Sequence, residues 1–345
     1  MGAGFSNAVS GLPVMKELTK AFWQVLEQEK NKGHNNRTFW GNRIRHYFEF
    51  LENDFFVRPC ISGKYENYEE CNFQENLEAL ISFIDLNVSG EITASVIDKD
   101  GNRGSYSKPT LFWNFTDLEE LRTCIQTYIY LAFIQTTIKK EILNPFIQRI
   151  SQNDKLITFN YDLIVEKALY ERDIWKPKDG YGIAFKEFHG IADFHKSKSE
   201  VHIYKLHGSL NWEKDVGLQF FYDNNEPIFP GYLLEDSKSP QYQGKKTGLW
   251  IMPSFIKQFL IPELLDIWQN AFSAIKEAEE IIVIGYSLPK EDSAACLLFG
   301  TTNIADKRLI LVDPNADNLL EKYRTVTHNR NIKTFKSIEN FLNNS

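Results

Sequence analysis

Leu156-Ile-Thr-Phe-Asn160-Tyr-Asp-Leu163 begins with four residues that favour a buried strand and ends in a polar turn. Three more runs in the carboxyl-terminal half have the same form: Val201–Leu206 before His207-Gly-Ser-Leu210, Ile281–Ile284 before Gly285-Tyr-Ser-Leu288, and Leu309–Val312 before Asp313-Pro-Asn-Ala316. Segments with helical spacing of apolar residues separate these runs. Strands that alternate with helices predict an α/β fold with a parallel sheet.

The amino-terminal part of the chain divides into two regions. Residues 1–29 contain a glycine-rich turn, Gly2-Ala-Gly-Phe-Ser6, and then a helix-like run from Val14 to Glu27. Residues 30–150 are rich in aromatic side chains and have no obvious chemistry. We therefore predict an α/β domain formed by residues 1–29 and 151–345, with residues 30–150 as a mainly helical insertion.

Helical spacing within the insertion predicts three helices. They span Phe39–Leu51, Leu77–Leu86 and Leu118 to about Ile150. Pro145 is expected to kink or split the last of them, because proline lacks the backbone N–H that a helix interior needs. Asp98-Lys-Asp-Gly-Asn102 predicts a turn or hairpin loop.

Composition excludes several classes of protein. The 345 residues are 43% hydrophobic and 25% charged, which is typical of a soluble globular protein. No apolar run approaches the roughly 20 residues that cross a bilayer, and no secretory signal is visible, so we expect a cytoplasmic protein. A formal net charge of −7 argues against a broad nucleic-acid-binding surface. The scattered cysteines, without a Cys-x-x-Cys pair, argue against structural zinc: Cys60, Cys71, Cys124 and Cys296.

The four polar turns are expected to meet at one edge of the sheet, where ligands bind in open α/β folds. Each turn alone has an ordinary structural interpretation: Asp162 as a helix cap, His207 as a structural histidine, and Ser287 or Asp313-Pro-Asn315 as parts of turns. The glycines at residues 2–6 would let backbone amides approach a pyrophosphate. Asn7 stands where a dehydrogenase fingerprint needs glycine, and no strand precedes the turn in this sequence.

Six motifs, in order, resemble the NAD-contacting motifs of the SIR2 family. They are Gly2-Ala-Gly-Phe-Ser6, Ser10-Gly-Leu-Pro13, Thr158-Phe-Asn-Tyr-Asp162, Leu206-His-Gly-Ser209, Gly285-Tyr-Ser-Leu-Pro289 and Val312-Asp-Pro-Asn315. The set is most similar to the SIR2-like branch of bacterial anti-phage defence proteins that hydrolyse NAD. The resemblance implies a Rossmann-like fold with NAD as the substrate.

The resemblance also implies a role for each matching residue. His207 would be the catalytic base, and Asn160 with Asp162 would hold the nicotinamide ribose and carboxamide. The remaining family contacts to the dinucleotide fall on Ala3, Gly4, Ser6, Gly285, Ser287, Asp313 and Asn315. Cleavage of an N-glycosidic bond passes through an oxocarbenium-like centre, so it needs groups that fix the ribose and a base for a hydroxyl or water proton.

Two departures from the protein-deacylating sirtuins favour water as the acceptor. The chain lacks their zinc module of two Cys-x-x-Cys pairs, and Pro13 is followed by Val14-Met-Lys-Glu17 instead of an Asp-Phe-Arg segment. We therefore predict an NAD hydrolase, and alternatives left open are a non-catalytic NAD or ADP-ribose-binding module, an ADP-ribosyltransferase or a deacylase. Family analogy adds a homo-oligomer, or an operon-encoded partner such as an ATPase or an Argonaute-like protein.

Overall fold

The computed structural model describes eleven stretches and some helical positions between residues 122 and 133. The stretches are residues 1–30, 77–88, 93–97, 103–107, 137–183, 199–214, 218–220, 222–223, 226–227, 262–289 and 292–344. The chain forms two compact units. The first consists of Met1–Val14, Leu131–Ile251 and Gln258–Ser345, and the second of Met15–Tyr130 and Met252–Lys257.

Helices and strands alternate along much of the described chain. In chain order they are α1 (Ala3–Ser10), α2 (Met15–Lys30), α3 (Leu77–Val88), β1 (Thr93–Ile97), β2 (Arg103–Ser107), α4 (Lys140–Arg149), β3 (Lys155–Thr158), α5 (Ile164–Glu171), α6 (Pro177–Gly180), β4 (His202–Lys205), β5 (Trp212–Lys214), β6 (Leu218–Phe220), β7 (Tyr222–Asp223), β8 (Glu226–Pro227), α7 (Pro262–Glu277), β9 (Glu280–Ile284), α8 (Ser293–Thr301), β10 (Arg308–Val312), α9 (Ala316–Thr327), β11 (Ile332–Phe335) and α10 (Ile338–Asn344). Among these helices none is long and apolar enough to cross a bilayer.

Parallel strands form the centre of the first unit. β3 pairs with β4, and β9, β10 and β11 form a second parallel sheet in which β10 is central. The four strands predicted from sequence are confirmed, each within one residue at either end. The prediction of a mixed α/β fold with parallel strands is confirmed, and β11 is an additional strand.

The residues Met1 and Gly2 connect the two parallel sheets by backbone hydrogen bonds. The Met1 amino nitrogen donates to the Ile157 carbonyl at 2.7 Å, and the Phe159 amide donates to the Met1 carbonyl at 3.1 Å. On the other side, the Gly2 amide donates to the Ile284 carbonyl at 3.0 Å. Residues 1–2 therefore lie between the end of β3 and the end of β9. They occupy the position of the strand that was not found in the sequence before the glycine-rich segment.

The prediction of a glycine-rich turn over residues 2–6 is wrong, because α1 begins at Ala3 with Gly2 as its N-cap residue. The helix forms because Phe5 and Val9, one turn apart, are buried in the core of the first unit. It ends at Gly11, whose φ of 71° is the left-handed conformation that glycine adopts readily. The predicted helix after Val14 is a second helix, α2.

The prediction of one helix from Leu118 to about Ile150 is also wrong. Residues 137–139 are not helical, and α4 begins at Lys140. The break has a tertiary cause, because the Lys139 amide donates to the Val9 carbonyl at 2.7 Å instead of to a helical carbonyl. Pro145 lies inside α4 and does not end it.

The second unit contains helices and a two-stranded antiparallel pair. α3 confirms the helix predicted over residues 77–86. β1 pairs with β2 from Thr93↔Ser107 to Ile97↔Arg103, on either side of the turn predicted at residues 98–102. That turn and the helix predicted over residues 39–51 lie outside the described residues.

We predict that Gly285→Ala destabilises the first unit more than Gly11→Ala does. Both glycines have positive φ, 59° and 71°, so alanine costs about 1–2 kcal/mol at either site. At Gly285 an added Cβ would also lie 2.1 Å from the Phe5 nitrogen, whereas at Gly11 it would meet nothing within 4 Å. The clash should add about 1–3 kcal/mol. Urea unfolding followed by circular dichroism measures both losses, and equal losses would contradict the close approach.

Candidate functional site

The register of β3 and β4 determines the position of the two residues predicted to be catalytic. Thr158 pairs with Lys205, and the Leu206 amide donates to the Thr158 carbonyl at 3.0 Å. Asn160 and His207 each follow that pair by two residues. They therefore occupy equivalent positions just beyond the ends of two adjacent parallel strands.

Aromatic side chains surround His207, which is buried. The Phe159 ring meets the imidazole edge-on with centroids 5.3 Å apart, and the Tyr161 ring lies 6.3 Å away. Trp268 of α7 donates its indole N–H to the carbonyl of Leu206, the residue before His207, at 2.9 Å. Two rings of the loop after β3 thus contact the imidazole, and Trp268 of α7 fixes the backbone directly before it.

Asn160 and Asp162 connect the β3–α5 loop to the start of α1. The Asn160 amide nitrogen donates to the Gly2 carbonyl at 2.9 Å and to the Ser6 hydroxyl oxygen at 2.8 Å. The Ser6 hydroxyl donates to Asp162 Oδ2 at 2.6 Å, and the Ile164 amide donates to Asp162 Oδ1 at 3.2 Å. Both Asp162 oxygens therefore accept hydrogen bonds from the protein, including one from the first residue of α5. The helix-cap interpretation of Asp162 is wrong, because the N-cap residue of α5 is Leu163 and the bond from the Ile164 amide is a local turn contact.

The third and fourth strand ends are connected to this cluster through Gly285. The Gly4 amide donates to the Gly285 carbonyl, and the Gly285 amide donates to the Val312 carbonyl, both at 2.9 Å. Asp313 follows Val312 and is buried, and its Oδ1 accepts from the Asn315 amide at 2.8 Å in a local turn.

Hydrogen bonds thus bring five of the predicted residues together: Gly4, Ser6, Asn160, Asp162 and Gly285. His207 adjoins them through the Phe159 ring. Asp313 and Asn315 belong to the next strand end, and the side chains of Ala3, Ser287 and Asn315 are exposed.

Sequence reasoning missed two residues beside His207. Asp292 Oδ2 lies 3.2 Å from His207 Nε2 and accepts the Tyr286 hydroxyl hydrogen bond at 2.8 Å. The Tyr286 ring also stacks on Phe159, with centroids 4.0 Å apart and planes 5° from parallel. Burial, and then the Asp292 carboxylate, raise the pKa of Tyr286 far above its ordinary value, so the phenol stays protonated.

A second missed feature is the buried ion pair of Lys205 and Glu166. Lys205 Nζ lies 2.7 Å from Glu166 Oε1, and the two side chains are 0% and 2% exposed. The same ammonium donates to the carbonyls of Tyr161 and Asp162, at 3.2 and 2.5 Å. Lys205 therefore connects strand β4, which leads to His207, with the loop that carries Asn160.

The ion pair belongs to a larger buried polar network. Burial raises the pKa of Glu166, and the Lys205 charge acts in the opposite direction. The Tyr181 hydroxyl lies 3.5 Å from Glu166 Oε1, and the Asn211 amide donates to the same hydroxyl at 3.4 Å. The Ser209 hydroxyl donates to Asn211 at 2.7 Å. The polar side chains of this network thus have protein partners.

Metal ligation has no geometric support in the part of the chain that the structure describes. No group of three or more histidine, cysteine or acidic side chains there is arranged to hold a metal ion. Cys296 forms no disulfide bond, and the other three cysteines lie outside the described residues.

Residues 154–238 match the family model of the SIR2-like domain. No match was found among curated proteins. The match confirms the resemblance to the SIR2-like family, which points to an NAD-dependent family of enzymes. The matched region contains Asn160, Asp162 and His207, whereas the segment before residue 15 and the strand ends at Gly285 and Asp313 lie outside it.

We predict that Lys205→Met lowers the free energy of unfolding by about 3–5 kcal/mol, because it leaves the buried Glu166 carboxylate without its cation. The loss should be smaller near pH 5 than near pH 8. Removal of Lys205 raises the folded-state pKa of Glu166 further, so the carboxyl group stays neutral in the folded protein over more of the acidic range. The stability of the variant therefore falls as the pH rises from the unfolded-state pKa of Glu166 through its folded-state pKa.

Chemical denaturation at the two pH values measures this effect. Lys167→Met, on the same helix as Glu166, is the matched control and should change stability by less than about 0.5 kcal/mol. The double variant Lys205→Met/Glu166→Leu should recover part of the loss, because no unpaired charge remains. A single variant as stable as the wild type would show that the pair does not secure the loop.

Proposed function

We propose that this protein hydrolyses NAD at the nicotinamide–ribose bond and releases nicotinamide and ADP-ribose. The observation that supports the proposal is the β3–β4 register, in which Asn160 and His207 follow paired strand residues at equivalent positions inside the region that matches the SIR2-like domain. An amide and an imidazole in adjacent positions can fix a ribose and accept a proton, and these are the two functions that the reaction needs.

The strand order supports a Rossmann-like site for the dinucleotide. Met1 and Gly2 are hydrogen-bonded to β3 on one side and β9 on the other, so the neighbours are β4, β3, residues 1–2, β9, β10 and β11. If these six segments alone are numbered from the amino terminus, so that residues 1–2 count as the first, their spatial order is 3-2-1-4-5-6. Dinucleotide-binding folds have this order. In such folds the ligand lies where the order reverses, which here is between residues 1–2 and β9.

The amino terminus of α1 supports a pyrophosphate at this point, whereas the Gly2 and Gly4 amides themselves already donate to the Ile284 and Gly285 carbonyls. Gly4 passes so close to Gly285 that a Cβ on Gly4 would lie 2.9 Å from the Gly285 Cα atom. Helix α1 starts here with no acidic residue in its first turn, and a helix amino terminus favours negative charge. We assign the phosphates and the nicotinamide side to Ala3, Gly4 and Ser6.

The adenosine end is assigned to the two strand ends farther along the edge. Gly285 and Ser287 follow β9 and would contact phosphate or the adenosine ribose. Asp313 and Asn315 follow β10 and would contact the adenosine. All of these residues lie in the first unit of the chain.

The chemistry requires one water molecule and one base. As the bond between ribose C1′ and the nicotinamide nitrogen breaks, water attacks C1′ and gives its proton to His207, and nicotinamide leaves with the bonding electron pair. Asn160, with Asp162, would hold the ribose and the carboxamide. An imidazole titrates near neutral pH, so it can accept the proton and release it to solvent in the same cycle.

The biological setting is inferred from the family that the motifs resemble. We infer an NAD-depleting effector in anti-phage defence that acts as a homo-oligomer or with an operon-encoded partner such as an ATPase or an Argonaute-like protein. This inference rests on family analogy alone.

We predict that the purified protein, alone or with its activating partner, releases nicotinamide from NAD, and that Asn160→Ala and His207→Ala lower kcat by about 10²- to 10⁴-fold. Nicotinamide and ADP-ribose are measured by liquid chromatography. Incorporation of labelled ADP-ribose into protein, without hydrolysis, would indicate a transferase instead.

The matched controls are His202→Ala and Asn340→Ala. His202 begins β4, at the end opposite to His207, and Asn340 is exposed on α10. Both controls should retain wild-type activity. Absence of nicotinamide release from wild type under every condition, or full activity of the His207→Ala protein, would overturn the proposal.

A further inference from the structure

Asp292 has an unusual position for an aspartate before a helix. It is the N-cap residue of α8, and its backbone is fixed because its amide donates to the Pro289 carbonyl at 3.0 Å and its carbonyl accepts from Cys296 at 3.1 Å. Aspartate at an N-cap normally accepts a hydrogen bond from the first turn of the helix. Here no side-chain capping bond forms, and the carboxylate lies beside His207 instead.

The surroundings of this carboxylate are closed to solvent. Asp292 is 1% exposed, and its Oδ2 accepts the Tyr286 hydroxyl hydrogen bond at 2.8 Å. The same oxygen lies 3.2 Å from His207 Nε2. A buried carboxylate needs donors or a nearby positive charge, and here the Tyr286 phenol donates to it while His207 Nε2 lies at ion-pair distance.

We propose that Asp292 is the positioning residue of His207. The Asp292 carboxylate keeps the imidazole proton on Nε2, so that the Nδ1 lone pair can accept a proton. A neutral imidazole carries its proton on one nitrogen only, and a carboxylate next to Nε2 favours the proton there. Tyr286 holds the carboxylate in turn, and its ring stacks on Phe159. The catalytic consequence of this arrangement rests on the function proposed above.

The step that follows is balanced within the site. When water attacks ribose C1′, the O–H bond of the water breaks and its proton moves to His207 Nδ1. The imidazole becomes a cation next to the Asp292 carboxylate, which stays ionised and stabilises it. After product release the Nδ1 proton passes to solvent, so the Nε2 proton never leaves.

Asp292→Asn tests the assignment. The Tyr286 hydroxyl and Nε2 lie against the same oxygen, so this atom would remain the amide oxygen, but it would carry no negative charge to favour the Nε2 proton or to stabilise the imidazolium. We expect kcat for NAD to fall by about 10²- to 10⁴-fold while KM changes by less than about threefold, as in triads where the orienting aspartate is replaced. Asp266→Asn, an exposed aspartate on α7, is the matched control and should keep wild-type kinetics.

Nitrogen NMR of the imidazole provides a measurement that does not depend on activity. In protein labelled with ¹⁵N-histidine, the His207 signal is identified by its loss in His207→Gln. The wild type should show a protonated Nε2, and Asp292→Asn should show a larger share of the Nδ1-protonated tautomer, because a neutral amide oxygen favours the Nε2 proton less than a carboxylate does. A wild-type His207 with its proton on Nδ1 would overturn the proposal without the need for a folded variant, and so would an Asp292→Asn protein with wild-type tautomer and kcat.

The two proposals fail in different ways. A wild-type protein with the expected tautomer but without NAD turnover would refute the proposed function and support the positioning role of Asp292. NAD turnover that is unchanged by Asp292→Asn would refute the positioning role alone.

Discussion

The close backbone approach between Gly285 and the first residues of the chain is the constraint on which the first unit depends. The Gly2 and Gly4 amides donate to the carbonyls at the end of β9, and a Cβ on Gly285 would fall 2.1 Å from the Phe5 nitrogen. Side chains at these positions would push the two segments apart. Because Met1 also bonds to β3, this contact joins the two parallel sheets and brings four strand ends to one edge.

Two buried polar contacts then give that edge its detailed geometry. Lys205 secures the loop after β3 to β4 through two carbonyl groups and the Glu166 carboxylate, and Asp292 lies against His207 from the segment after β9. Charges removed from water are costly unless they are paired, so such groups are rarely retained for stability alone. Lys205 bonds to the loop that carries Asn160, and Asp292 lies beside His207. Buried charges at these positions support a site in which both side chains are held in defined positions.

Sequence reasoning identified the strands and strand ends because a buried strand is a continuous apolar run, and a polar tetrad after it is visible locally. β11 was not predicted, because it is an edge strand that is only partly buried and therefore lacks such an apolar run. α1 and the break before Lys140 depend on contacts between distant segments, which outweigh local preference. Asp292 resembles an ordinary helix cap in the sequence, and only the tertiary structure brings it to His207.

The connection made by Gly2 has a consequence for the order of events during synthesis. Its amide bonds to Ile284, so the segment next to β3 gains its second neighbour only when almost the whole first unit has left the ribosome. Contacts over such sequence separations form slowly, because a long loop must close before they contribute. Until then the incomplete sheet exposes unpaired backbone groups, which makes a nascent chain a natural client of chaperones.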